Sequence, residues 1–143
     1  MKSLSCTFLL FTLVFSLVLF GGARFCAAQE GLIIVIGSDT TWTKAGSPYN
    51  LTGPLLVSNG VTLTIESGVT VTLNSYDIRV EGTLRVLGTS AETVYLDNGI
   101  DKGHIEFGPN STPWNEQTGS GCVIEHLTGN TWIISDVSLK IAD

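Results

Sequence analysis

The sequence predicts an all-β chain, built either as a coil of stacked parallel strands or as a β-sandwich. Three observations predict it. First, residues 61–74, "VTLTIESGVTVTLN", alternate apolar and polar side chains almost without fault, the period of a half-buried strand. Second, beyond residue 55 no window carries apolar residues at i, i+3, i+4 and i+7, so no helix is predicted in the mature chain. Third, short strand-like runs alternate with turn pairs such as Asn59-Gly60, Ser67-Gly68, Glu81-Gly82 and Asn98-Gly99.

The elements follow in order. Lys2 precedes a run of Leu, Phe and Val over residues 8–20, and Cys26-Ala27-Ala28 supplies small residues where a signal peptidase reads. Residues 1–28 are therefore expected to be a secretory signal peptide cleaved before Gln29. The run is short for a membrane span of about 20 residues, so membrane attachment is expected only if the segment stays uncleaved. Residues 29–54 read as an N-terminal cap segment. It holds the apolar "GLIIVI", a possible first strand, and then a stretch rich in Gly, Ser, Thr and Pro that reads as irregular. Residues 55–143 read as strands at 55–57, 61–65, 69–73, 78–80, 83–87, 94–96, 104–107, 122–127, 131–134 and 137–141.

Removing the leader takes away Lys2 and Arg24 and no acid, so the formal charge moves from −6 to −8. An acidic, Arg-poor surface argues against nucleic acid and anionic membrane as partners. Cys6 and Cys26 leave with the leader, and the remaining Cys122 forms no internal disulfide.

An internal repeat is visible. "VTLTI" (61–65), "GTLRV" (82–86) and "GHIEF" (103–107) align at an offset of 21 residues, with "GCVIE" (121–125) as a looser copy. In a coil, Leu63, Leu84 and Ile105 would stack inward, and Thr64, Arg85 and Glu106 outward, on rungs about 4.8 Å apart. Ser67-Gly68 would be the corner between two sides of one rung. Turns every eight to twelve residues suit a sandwich equally well.

Residues 40–96 bring a resemblance. Trp42-Thr43, Ser47-Pro48-Tyr49, the run Leu63 to Val69 and Val80-Glu81-Gly82-Thr83-Leu84 resemble the N-terminal part of right-handed parallel β-helix, pectate-lyase-like repeat proteins of bacterial and archaeal cell surfaces. Ser67 stands where that family usually carries proline. The resemblance implies a right-handed parallel β-helix and says little about activity; with the strand spacing, about four rungs are expected, and the interior-like ending "VSLKIAD" makes the helix expected to be incomplete.

No catalytic, cofactor-binding or metal-binding residue is assigned. Arg85 and Glu106 read as an ion pair between rungs and not as a catalytic pair. His104 and His126, even with Cys122 or Glu125, lack a zinc-ligand spacing. Asp97, Asn98 and Asp101 invite Ca2+ but lack the EF-hand spacing. Cys122 reads as a small buried apolar residue. Trp42, Tyr49, Trp114 and Trp132 are candidates for sugar stacking, and Trp114, in the polar loop "GPNSTPWNEQTG", is the expected carbohydrate contact. Asn50 and Asn110 head glycosylation sequons.

The functional expectation is a secreted or cell-surface structural or adhesive module with no catalysis of its own. The alternatives are the N-terminal portion of a polysaccharide lyase or hydrolase, or a carbohydrate-binding module. The expected partners are a surface polysaccharide or another copy meeting it end to end. That second partner follows from "VSLKIAD": the alternation of Val137, Leu139 and Ile141 reads as an interior rung, and an uncapped solenoid edge recruits another chain.

Overall fold

The computed structural model describes residues 32–99 and 103–143. The predicted leader and Asp101 lie outside the described residues. The chain forms a parallel β-helix. Its fourteen described strands fall into three parallel sheets, and strand order alone shows the coil. Sheet A runs β1 (Ile34–Ile36), β4 (Leu55–Val57), β7 (Ile78–Val80), β10 (His104–Phe107), β13 (Trp132–Ser135). Sheet B holds β2 (Thr40–Trp42), β5 (Thr62–Glu66), β8 (Thr83–Leu87), β11 (Val123–Glu125) and β14 (Lys140–Ala142). Sheet C holds β3 (Tyr49–Asn50), β6 (Thr70–Thr72), β9 (Val94–Asp97) and β12 (Leu127–Gly129). Every third strand pairs, so each rung visits A, B and C in turn. There are four such rungs and two strands of a fifth, and the sandwich alternative is excluded because every paired strand is parallel.

Alternation puts one apolar ladder inside each sheet. In sheet A, Ile34, Leu55, Ile78, Ile105 and Ile133 stand in register. In sheet B, Trp42, Ile65, Val86 and Ile124 do the same. The central members are fully buried and form one cluster along the axis. β5 and β6 are two sides of one rung, as the opening stretch predicts. Gly68 sits at their corner with φ +71°, a conformation that a side chain with a Cβ resists.

The segment after Gly37 is ordered where the sequence reads as irregular. It supplies β2, a 3₁₀ turn at Lys44–Gly46, and β3. Trp42 and Tyr49 stack at 4.7 Å with planes 10° apart. The Tyr49 hydroxyl accepts from the Thr43 N–H at 3.0 Å and lies 3.3 Å from the Thr43 carbonyl as donor. Two aromatics and one hydroxyl thus fix a stretch of low β-propensity, an outcome local composition does not encode.

The corner from sheet C to sheet A is stitched by asparagine. Asn74 Nδ2 donates to the Leu51 carbonyl at 2.8 Å, one rung back. Asn98, itself buried, donates through Nδ2 to the Asn130 carbonyl one rung on, and accepts from the Thr131 hydroxyl at 2.8 Å. These bonds satisfy carbonyls that a tight corner would otherwise leave unpaired.

The repeat alignment needs one correction. Leu63 and Leu84 do stand in register. Ile105 does not continue that column, because β10 belongs to sheet A and pairs with β7 and β13. The true successor of β8 is β11, placing Val123 beside Arg85 and Ile124 beside Val86. Gly103 opens a new rung, and the long loop 108–121 pushes the next sheet B strand far down the chain. A fixed 21-residue offset therefore lands one face early.

Candidate functional site

The outward side chains of sheet A form the most chemically varied surface. Period-2 alternation on β7, β10 and β13 projects Arg79, Glu106 and Ile134 in one column. A second column carries Asp77, His104 and Trp132, since His104 pairs with Trp132 and the β7–β10 register brings Asp77 beside His104.

Most of these groups bond to one another. The Arg79 guanidinium donates to Glu81 Oε1 through Nε at 2.8 Å and Nη2 at 2.7 Å, and its Nη1 lies 3.8 Å from Glu106. Glu81 also accepts from Asn110 Nδ2 at 3.0 Å. The hydrogen bond from Arg79, and then that from Asn110, holds the Glu81 carboxyl below its ordinary range. Asp77 Oδ1 accepts from the His104 backbone N–H at 3.0 Å and lies 2.7 Å from His104 Nδ1. Glu106 thus meets Arg79, not Arg85. The predicted Arg85–Glu106 pair does not form, because the two residues are on different sheets.

The same habit recurs elsewhere. Lys44 pairs with Glu92 and Lys140 with Glu125. Thr83 donates to Thr112 at 2.9 Å, and the Thr93 and Thr128 hydroxyls bond at 3.2 Å.

The loop 108–121 folds along the outside of sheet B. The Thr112 N–H donates to Gly82 and the Trp114 N–H to Ser138, both at 2.9 Å. Trp114 is half-buried. Lys140 Nζ stands 5.1 Å from its ring centroid, and its Nε1 is buried without a partner. An open groove beside it is lined by Thr112, Pro113, Asn115 and Gln117. Val123 points outward yet is buried, covering a position that alternation alone would expose. Trp42 is 8% exposed and Trp132 is 64% exposed. The indole with most free surface is therefore on a strand and not in the polar loop. The contiguous run Trp132-Ile133-Ile134 gave no sequence signal for which face its members take.

His104 and His126 are not brought together. His104 lies on β10, while His126 occupies the corner between β11 and β12 with φ +46°. Cys122 is buried and free, its Sγ 3.5 Å from the Leu84 N–H and 3.7 Å from the Gly82 carbonyl. Burial pushes its thiol pKa up. Among the described residues, no three His, Cys, Asp or Glu side chains cluster as metal ligands. In the turn that invites Ca2+ by composition, Asp97 Oδ1 accepts from Gly99 N–H at 3.0 Å and Asn98 is turned to the Asn130 carbonyl. Asn50, on β3, is exposed; Asn110 is exposed too, with its amide engaged by Glu81.

Comparison with known proteins returns no match: no family model, no curated protein and no solved structure aligns significantly with the chain.

Proposed function

We propose that this chain is an exported, non-catalytic β-helix module that acts structurally and adhesively at a cell surface. One observation carries the reading: the charged side chains on the outer face of sheet A are bonded to one another, several of them from one rung to the next. Arg79 bonds to Glu81 and reaches Glu106 on the next rung, Asp77 holds His104, and Lys140 holds Glu125. Exposed pairs of this kind contribute little stability individually, but they engage the Asp77, Glu81 and Glu106 carboxylates that acid–base work on this face would draw on. The resemblance of residues 40–96 to pectate-lyase-like surface repeat proteins supports the same reading, as does the signal-like leader. The test incubates the purified exported protein with a panel of plant, fungal and bacterial polysaccharides and measures released reducing ends and retention on the polymer. Retention, or indifference, without release is expected. Release of products that persists through repurification would overturn the reading in favour of a polysaccharide lyase or hydrolase.

A further inference from the structure

We propose that the outward face of sheet A around Trp132 is the adhesive surface, and that its ligand is an extended, uncharged polysaccharide. The inference rests on the adhesive reading above and names its partner. Four features converge on one face.

The first is the indole. Trp132 is 64% exposed and Ile134, two residues along the same strand, is 52% exposed. Both are outward members of β13. Large apolar side chains displayed together on one strand mark a contact surface more than chance exposure does. A pyranose ring has one face made of C–H bonds, which packs on an indole as another aromatic edge would.

The second is the polar surround. Directly beside Trp132 on the neighbouring strand is His104, fixed by Asp77 at 2.7 Å. Beside Ile134 is Glu106, within 3.8 Å of Arg79. Donors and acceptors held in place next to an apolar platform are what ring hydroxyls require, since a few placed polar groups fix orientation while the apolar area supplies affinity. A purely apolar protein partner would instead have to bury Asp77, His104, Glu106 and Arg79 at a desolvation cost.

The third is charge. Asp77, Glu81 and Glu106 outnumber Arg79 on this face, and the chain without its predicted leader carries a formal −8. A polyuronate would meet like charge, so an uncharged glycan is selected. The fourth is direction. The columns run along the coil axis with successive strands about 4.8 Å apart, so a linear polymer lying along the axis passes Asp77 and Arg79, then His104 and Glu106, and then Trp132 and Ile134.

Trp114 is the contrasting site: Lys140 occupies one face of its ring and its Nε1 is buried.

The exported protein is titrated with cellohexaose, xylohexaose and mannohexaose, with hexagalacturonate as the charged control. Binding is followed by tryptophan emission and by retardation in gels containing the corresponding polymer. At least one neutral hexasaccharide is expected to change the emission, with hexagalacturonate inert. Trp132→Ala is expected to weaken that binding about tenfold or more, Trp132→Phe to retain part of it, and Trp114→Ala to leave it unchanged. Trp132 is exposed, so an unaltered melting temperature shows that the variant is folded. The proposal is overturned if no neutral sugar binds, if hexagalacturonate binds best, if Trp132→Ala binds like the parent, or if Trp132→Ala abolishes only self-association. Retention that survives Trp132→Ala removes this site while leaving the adhesive reading intact. Product release removes the adhesive reading itself.

Discussion

Replacing Leu84 by Ala tests the coil at its centre. Leu84 lies in β8, the middle strand of sheet B, and has no exposed surface. Leu63 precedes it in the column, and Cys122 follows, its Sγ within 3.5 Å of the Leu84 N–H. Withdrawing a buried leucine loses about 1.5–3 kcal/mol of transfer free energy. The cavity adds to this, because continuous ladders hold the flanking strands at fixed spacing and the hole cannot close. The expected total is about 3–4 kcal/mol, in the upper half of the range for such truncations. With a urea slope of about 2 kcal/mol per molar, the midpoint should fall by about 1.5–2 M. Thr64→Ala, on the outward column of the neighbouring strand, should move it by less than about 0.3 M, the effect of an ordinary surface change. A cycle combining Leu84→Ala with Leu63→Ala should show coupling, as contacting residues do. Equal midpoint shifts for Leu84→Ala and Thr64→Ala would refute the inward–outward assignment.

Glu81 has its carboxyl pKa depressed by Arg79 and Asn110. Its contribution to stability is therefore present above the ordinary carboxylate pKa and is lost as pH falls through the lower folded value. Arg79→Ala should flatten that part of the melting-temperature profile between about pH 5 and pH 2, and an unchanged acid limb would contradict the assigned partners. The thiol of Cys122 has its pKa raised by burial, so its contribution holds below the unfolded thiol pKa and is lost as pH rises through the folded one. Ellman's reagent should react with it at the rate of unfolding, and immediate labelling of the native protein would show that the site is open. The far edge of the coil presents β12, β13 and β14, each paired on one side among the described residues, around a cavity of about 200 Å³ lined by Ile124, Leu127, Ile133 and Ile141. Sedimentation should show concentration-dependent association, whereas a stable monomer at high micromolar concentration would mean that this edge is protected.

The sequence revealed strands and turns more faithfully than it revealed neighbours. Leu63 and Leu84 could be paired because the two strands sit one compact rung apart. Ile105 could not be placed, since an offset copied from one rung ignores how many residues the corners take up. The same blindness hid the partners of Glu106, whose ion pair depends on β10 lying against β7. Trp114 sits among Pro, Asn and Thr and reads as a free loop aromatic, yet a backbone bond to Ser138 and the Lys140 side chain hold it against sheet B. Those partners come from a rung that follows it in sequence, and no local window contains them. Trp132 had the opposite fate, because an uninterrupted apolar run carries no alternation to separate inside from outside.

The register of sheet B has a consequence for how such a chain tolerates insertion. From Leu63 to Leu84 the path is one compact turn, while from Arg85 to its partner Val123 it takes in β9, β10 and the whole loop 108–121. The ladder is continuous across both. The coil therefore counts strands and is indifferent to the length of chain spliced between them, provided the corner closes. Loop closure grows only slowly more costly with length, so the junction between β10 and β11 is a natural cassette. Foreign segments grafted there would be displayed on the flank of sheet B without disturbing the stacked interior, and the same opening would allow related chains to diversify their outer surface while keeping one scaffold.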